Sequence, residues 1–165
     1  DNETLIETNT NAEILAEKWR SSTRNLDLER YKGFISDLTN FPELNSLEQA
    51  KKFIENLIIR KEIAEFNYLN YFFVYNTKSL LHWLVGVKTV TISEVYNKAL
   101  IMGINQNNIH TTIEVLRDNY MIAVENGNIT STPRAKRFLD FIGFGKKPSD
   151  ELISKLLNDY LSKSK

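Results

Sequence analysis

The sequence predicts a mainly α protein: a helical N-terminal region, then two helices joined by a tight turn with a short two-stranded hairpin, then a C-terminal helix. Three observations carry this. Phe53, Ile54, Leu57, Ile58, Phe66, Leu69 and Phe73 recur at mostly helical steps, and no Gly or Pro occurs between Pro42 and Gly86. Asn126-Gly127 stands between two apolar runs, the strongest short hairpin signal, because both residues tolerate positive φ. Ser, Thr and Asn stand just before several periodic stretches, where their side chains cap exposed backbone N–H groups.

The elements follow in order. Asn11 is placed to cap a helix carrying Ile14, Leu15 and Trp19, with Glu13 and Glu17 near its positive end. A second helical stretch runs through Leu28, Tyr31, Phe34, Ile35 and Leu38 and stops at Asn40-Phe41-Pro42. Ser46 with Gln49 reads as a capping box for the long helix behind it, with a break expected near Asn76. Val90-Thr91-Ile92 is a β-branched run, after which Ser93 is placed to cap a helix through Val95, Tyr96, Ala99 and Leu100. Gly103-Ile104-Asn105 is a tight turn. Ile109, Ile113, Leu116 and Tyr120 then fall on one helical face. Thr132-Pro133 reads as N-cap and first residue of a helix with Phe138, Leu139 and Ile142, ended by Gly143 and Gly145. Asp150 to Leu161 forms a last amphipathic helix.

Composition excludes several function classes. A chain of 165 residues, 42% hydrophobic, fits one domain or a domain with a helical extension. It opens with Asp1 rather than Met, so a processed protein or an excised domain is expected. Cys is absent, which removes disulfides, thiolate metal sites and cysteine nucleophiles, and points to a reducing, cytoplasmic or nucleoid-associated location. Phe66 to Val87 is the most apolar stretch, but Asn67, Asn70, Asn76, Lys78 and His82 interrupt it too often for a membrane span. Six aromatic residues (Phe66, Tyr68, Tyr71, Phe72, Phe73 and Tyr75) circle a helix there, so cover on more than one side is expected, from the chain's own core or a second copy. The formal net charge is zero, yet it is uneven. Residues 1–87 carry 10 basic and 13 acidic side chains, and residues 88–147 carry 8 and 5. A local basic excess binds a polyanion even on a neutral molecule, since screening limits each charge to about 8 Å.

No residue pattern supports catalysis. His82 and His110 are the two histidines and lack ligand spacing. Gly143-Phe144-Gly145-Lys146-Lys147 has the look of a phosphate loop, but Asp140 stands where the first glycine belongs and Lys147 where Ser or Thr belongs. The expectation is a non-enzyme with no catalytic residue, metal or cofactor.

Ile92-Ser93-Glu94-Val95, Gly103-Ile104-Asn105, Val115-Leu116-Arg117-Asp118-Asn119-Tyr120 and Ile129-Thr130-Ser131-Thr132-Pro133-Arg134 with Phe138-Leu139 occur in an order that resembles the winged helix-turn-helix superfamily over residues 90–143. The helices around it resemble the dimerising arms of MarR-like or PadR-like regulators. The resemblance implies a winged-helix module with a short two-stranded wing at 88–147, a helical dimerisation or partner-binding region at 1–87, and a C-terminal helix at 148–165. It also implies a homodimer on double-stranded DNA, its recognition helices about 34 Å apart.

In that reading the helix at 106–119 enters the major groove and presents Gln106, Asn107, Asn108, His110 and Thr111. Asn and Gln pair bidentately with adenine, and Thr touches the thymine methyl. Lys98, Arg134, Lys136, Arg137, Lys146 and Lys147 would neutralise phosphates, and Asn126 and Asn128 would sit at the wing tip. Glu114 and Asp118 share the face and repel phosphate. The expected function is a DNA-binding transcriptional regulator or the DNA-binding part of a larger factor. The alternative is a winged-helix adaptor in a protein assembly, without DNA contact.

Overall fold

The computed structural model describes residues 11–22, 29, 32–33, 46–146 and 149–163. It is mainly helical, with one small antiparallel sheet of three strands. The chain divides into two compact units, Asp1–Val74 and Tyr75–Lys165.

In the first unit, α1 (Ala12–Ser22) packs against α2 (Leu47–Phe72). Both starts are capped as their sequences predict. The Asn11 side chain accepts from the Ile14 amide at 2.9 Å, and Ser46 Oγ accepts from the Gln49 amide at 3.2 Å. Trp19 packs with Ala50 and Ile54, and Leu15 with Leu57, so the two helices run antiparallel. The far end is closed by charge. The Ala12 amide donates to Glu65 Oε2 at 2.6 Å, which sets a carboxylate on the positive end of α1. The helical stretch expected over 28–38 lies outside the described residues, except that Glu29, Lys32 and Gly33 are helical.

The second unit begins with α3 (Tyr75–Val87). Then come β1 (Thr89–Thr91), α4 (Ile92–Ile101), α5 (Gln106–Asp118), β2 (Ile122–Glu125), β3 (Asn128–Ser131), α6 (Pro133–Ile142) and α7 (Asp150–Lys163). Its core is built from Leu80, Leu81 and Leu84 of α3, Val95 and Ala99 of α4, Ile109 and Leu116 of α5, and Phe138 and Leu139 of α6, all buried. The unit boundary falls at Val74/Tyr75, thirteen residues before the boundary expected at 87/88. The reason is allegiance: α3 packs on α6, β1 and β3.

The sheet differs from the hairpin expected. Asn126 (φ 52°) and Gly127 (φ 77°) make the predicted two-residue turn, with Glu125 opposite Asn128 and Val124 opposite Ile129. A third strand joins it, because β1 pairs with β3 through Thr89–Thr130, Val90–Ile129 and Thr91–Asn128. The strand order is β1-β3-β2. Ile129, in the central strand, is fully buried.

The α4 cap is also displaced from expectation. Thr91 rather than Ser93 caps it, its Oγ1 accepting from the Glu94 amide at 3.2 Å, so one residue ends a strand and starts a helix. The turn after α4 is the predicted one. Gly103 (φ 87°) sits in the left-handed region, the Ile104 amide donates to the Ala99 carbonyl, and the Gly103 amide to that of Leu100. Among the described residues no helix is long and apolar enough to cross a membrane.

Candidate functional site

Helix α5 is placed by its apolar stripe. Ile109, Ile113 and Leu116 are buried while Tyr120, one turn beyond them, is half-buried. That commits the opposite face to solvent. Gln106, Asn107, Asn108, His110 and Thr111 are all exposed, as predicted for the candidate reading face, and they share the first turns of one helix. The Asn105 side chain caps this end, accepting from the Asn107 amide at 2.9 Å. Sequence reasoning missed one relationship here. His110 Nε2 lies 3.1 Å from Glu114 Oε1, an exposed pair at the i,i+4 spacing that could have revealed it. Asp118 lies 3.7 Å from Arg117. Glu114 thus has the imidazole, and Asp118 the guanidinium, as neighbour.

The far end of α5 is fastened by the segment after the hairpin. The Met121 amide donates to the Leu116 carbonyl and the Tyr120 amide to that of Arg117, with Tyr120 at φ 59°. Thr132 Oγ1 donates to the Tyr120 carbonyl at 2.6 Å, and the Thr132 amide to the Met121 carbonyl. Thr132 also caps α6, accepting from the Ala135 amide at 3.3 Å. One threonine thus ties the end of α5 to the start of α6.

Arg134, expected among the phosphate contacts, is placed away from the surface. It is 3% exposed, and its Nε donates to the Asn119 carbonyl at 3.0 Å. A guanidinium in that position holds the end of α5 by a part-buried, charge-assisted bond.

The other predicted cations divide by element. Lys98 lies on α4, which packs against α5, and its ammonium sits 5.7 Å from the centre of the Trp83 ring. Lys136 and Arg137 are exposed on α6, which packs on α3. Lys136 Nζ lies 3.2 Å and Lys146 Nζ 3.5 Å from the two oxygens of Asp140. The hydrogen bond from Lys136, with both ammonium charges close by, holds the Asp140 carboxyl below its ordinary value. Lys147 lies outside the described residues. Asn126 and Asn128 are exposed at the hairpin turn.

The aromatic stretch of α2 is only partly covered. Phe66 and Phe73 are buried, whereas Tyr68, Phe72 and Tyr71 are exposed, Tyr71 to 94%. The Tyr68 and Phe72 rings stack 5.8 Å apart along the helix. In the second unit, Tyr75 and His82 of α3 both meet the Phe144 ring, at 5.5 and 5.7 Å. Among the described residues no three of His, Asp or Glu gather as a metal site would require. No family model matches the chain, and neither does any curated protein or solved structure.

Proposed function

We propose that the second unit is a winged helix-turn-helix module and that the protein binds double-stranded DNA, as a transcriptional regulator or as the DNA-binding part of a larger factor, with α5 in the major groove. One observation carries the reading. The exposed face of α5 is a run of base-edge hydrogen-bonding side chains (Gln106, Asn107, His110 and Thr111) on a helix whose other face is buried, whose start is capped by Asn105 and whose end is tied to Thr132 and Arg134. A helix with an exposed polar face suits a groove, since recognition side chains must be held in register by a fixed backbone. The element order supports it: helix, strand, helix, glycine turn, helix, hairpin. Lys98, Lys136, Arg137 and Lys146 would neutralise phosphates, Lys136 and Lys146 sharing their charge with Asp140.

The carboxylates of Glu114 and Asp118 oppose the reading least if each lies against a cation. Arg117 lies against Asp118, and the His110 imidazole lies beside Glu114. A homodimer would double the number of phosphate contacts and sharpen the salt dependence.

The test is fluorescence anisotropy of a labelled duplex, titrated at low and at near-physiological salt. Binding that weakens steeply with salt supports the proposal, the slope counting about 0.9 per phosphate contact. Asn107→Ala should cost about 1–3 kcal/mol on a selected site and little on random DNA. Glu114→Ala should tighten binding. Absence of binding at low salt would reject the proposal in favour of a protein-docking adaptor.

A further inference from the structure

Asn126 is one of eighteen asparagines in the chain and the one that a glycine follows. That pair is the most reactive an asparagine can form. The main-chain nitrogen of the next residue attacks the asparagine Cγ, and a side chain on that residue would crowd the approach, which Gly leaves open. Asn126 and Gly127 are both exposed at the tip of the hairpin, and among the described residues nothing accepts from the Gly127 amide.

The turn itself stands against the reaction. With φ of 52° and 77°, the two residues form the left-handed, type I′ turn of a two-residue hairpin. In such a turn the first residue has ψ of roughly +30°. That sets the Gly127 nitrogen trans to the Asn126 Cβ about the Cα–C bond, whereas ring closure needs the two on the same side. The strands hold this state. Glu125 pairs with Asn128 across the turn, Thr91 pairs with Asn128 from the other side, and the Ile92 amide donates to the Gly127 carbonyl at 3.0 Å.

We propose that Asn126 is a modification site, deamidated through a cyclic imide when the hairpin opens, and that the closed hairpin is its guard. In the open state the Gly127 amide gives its proton to a base and its nitrogen bonds to Asn126 Cγ. The Cγ–Nδ2 bond breaks, and Nδ2 takes a proton from water and leaves as ammonia. Water then adds to one of the two imide carbonyls. Opening at Cγ leaves aspartate at position 126. Opening at the main-chain carbonyl leaves isoaspartate, with the chain running on through Cγ. Either route consumes one water, releases one ammonia and adds a negative charge beside Glu125.

The two products differ in the fold. Aspartate before glycine suits the same turn, so that product rebuilds the hairpin. Isoaspartate adds a main-chain carbon to a turn of two residues, which displaces the Gly127 carbonyl from the Ile92 amide and Asn128 from Glu125 and Thr91. Thr91 also caps α4, so the change reaches the start of that helix. An opening that would otherwise reverse becomes permanent. The inference does not rest on DNA binding.

The full chain would be incubated in mildly alkaline buffer with and without denaturing urea, and position 126 followed by peptide mass mapping. In urea Asn126 should convert ahead of every other Asn. In buffer it should convert at least about tenfold more slowly, because only the open fraction reacts. Another Asn leading in urea would overturn the site, and equal rates in the two conditions would overturn the guard. Ile129→Ala removes the buried side chain of the central strand and should speed conversion in buffer while leaving the rate in urea unchanged. An unchanged rate in buffer also rejects the guard. The isoaspartate product, separated by chromatography, should unfold at a lower urea midpoint than Asn126→Asp. Equal midpoints would overturn the permanence of the opening.

Discussion

Arg134 donates from the first turn of α6 to the carbonyl oxygen of Asn119 at the end of α5, fifteen residues earlier, with its side chain almost wholly buried. A cation next to a Thr-Pro pair has therefore become a bolt between two helices. Asn119 in turn returns its own side-chain amide to the Val115 carbonyl at 2.8 Å. The exposed polar face of α5 depends on this end for its pitch and rotation.

Arg134→Ala should destabilise the second unit by about 1–3 kcal/mol, because it leaves a part-buried carbonyl short of a charged donor. Arg134→Lys should recover little, since an ammonium cannot reproduce the planar fork. Urea midpoints measured by circular dichroism decide this. On the proposed DNA binding, neither variant should alter the salt slope once corrected for the folded fraction, whereas Lys136→Ala should lower it.

Lys88 occupies the left-handed region at φ 71° just after α3, its amide donating to the Leu84 carbonyl. Its side chain is exposed, so it is conformation and not packing that a substitution changes. Lys88→Gly should stabilise the unit by about 1 kcal/mol by relieving the Cβ clash of that conformation. An unchanged or lower urea midpoint would contradict it.

Gly103→Ala should act in the opposite direction. At φ 87° an added Cβ is strained, and it would also meet Asn76 Nδ2 at 3.7 Å, an ordinary contact. The loss of about 1–2 kcal/mol should thus be conformational alone. Gly145→Ala is harsher in kind, because its Cβ would fall 2.6 Å from His82 Nε2 and force that ring off Phe144.

Asp140 sets a pH dependence. Its folded-state carboxyl sits below its ordinary value through Lys136 first and Lys146 second. Such a group binds protons less well folded than unfolded, so its stabilisation is present above the ordinary carboxylate value and is lost as pH falls through the lowered folded one. Carboxyl NMR should place the Asp140 midpoint below that of an unstructured aspartate. Asp140→Asn should remove this part of the acid-side slope and leave the neutral-side profile unchanged.

What the sequence discloses here is what depends on neighbours in the chain. The Asn126-Gly127 turn, the Thr132-Pro133 cap and the Gly103 turn are each set by a few consecutive residues with special backbone preferences, and all three are found in place. The buried stripe of α5 is equally local, being a period. What escapes is long-range. Thr89–Thr91 is too short to carry a period and becomes a strand only because β3 arrives beside it some forty residues later. The side to which α3 belongs is decided by its packing on α6, which no repeat within α3 encodes. Arg134 reads as a surface cation until the Asn119 carbonyl is known to lie beneath it.

The order β1-β3-β2 has a consequence for synthesis. The strand made last is the one in the middle, so until Ser131 has emerged from the ribosome β1 and β2 are two unpaired edges with no strand to hold them. Ile122 and Met121, buried in the finished unit, would be uncovered for that interval. A nascent chain stalled before Asn128 would carry sticky strand edges that attract other chains, and about four further residues would abolish the hazard in one step.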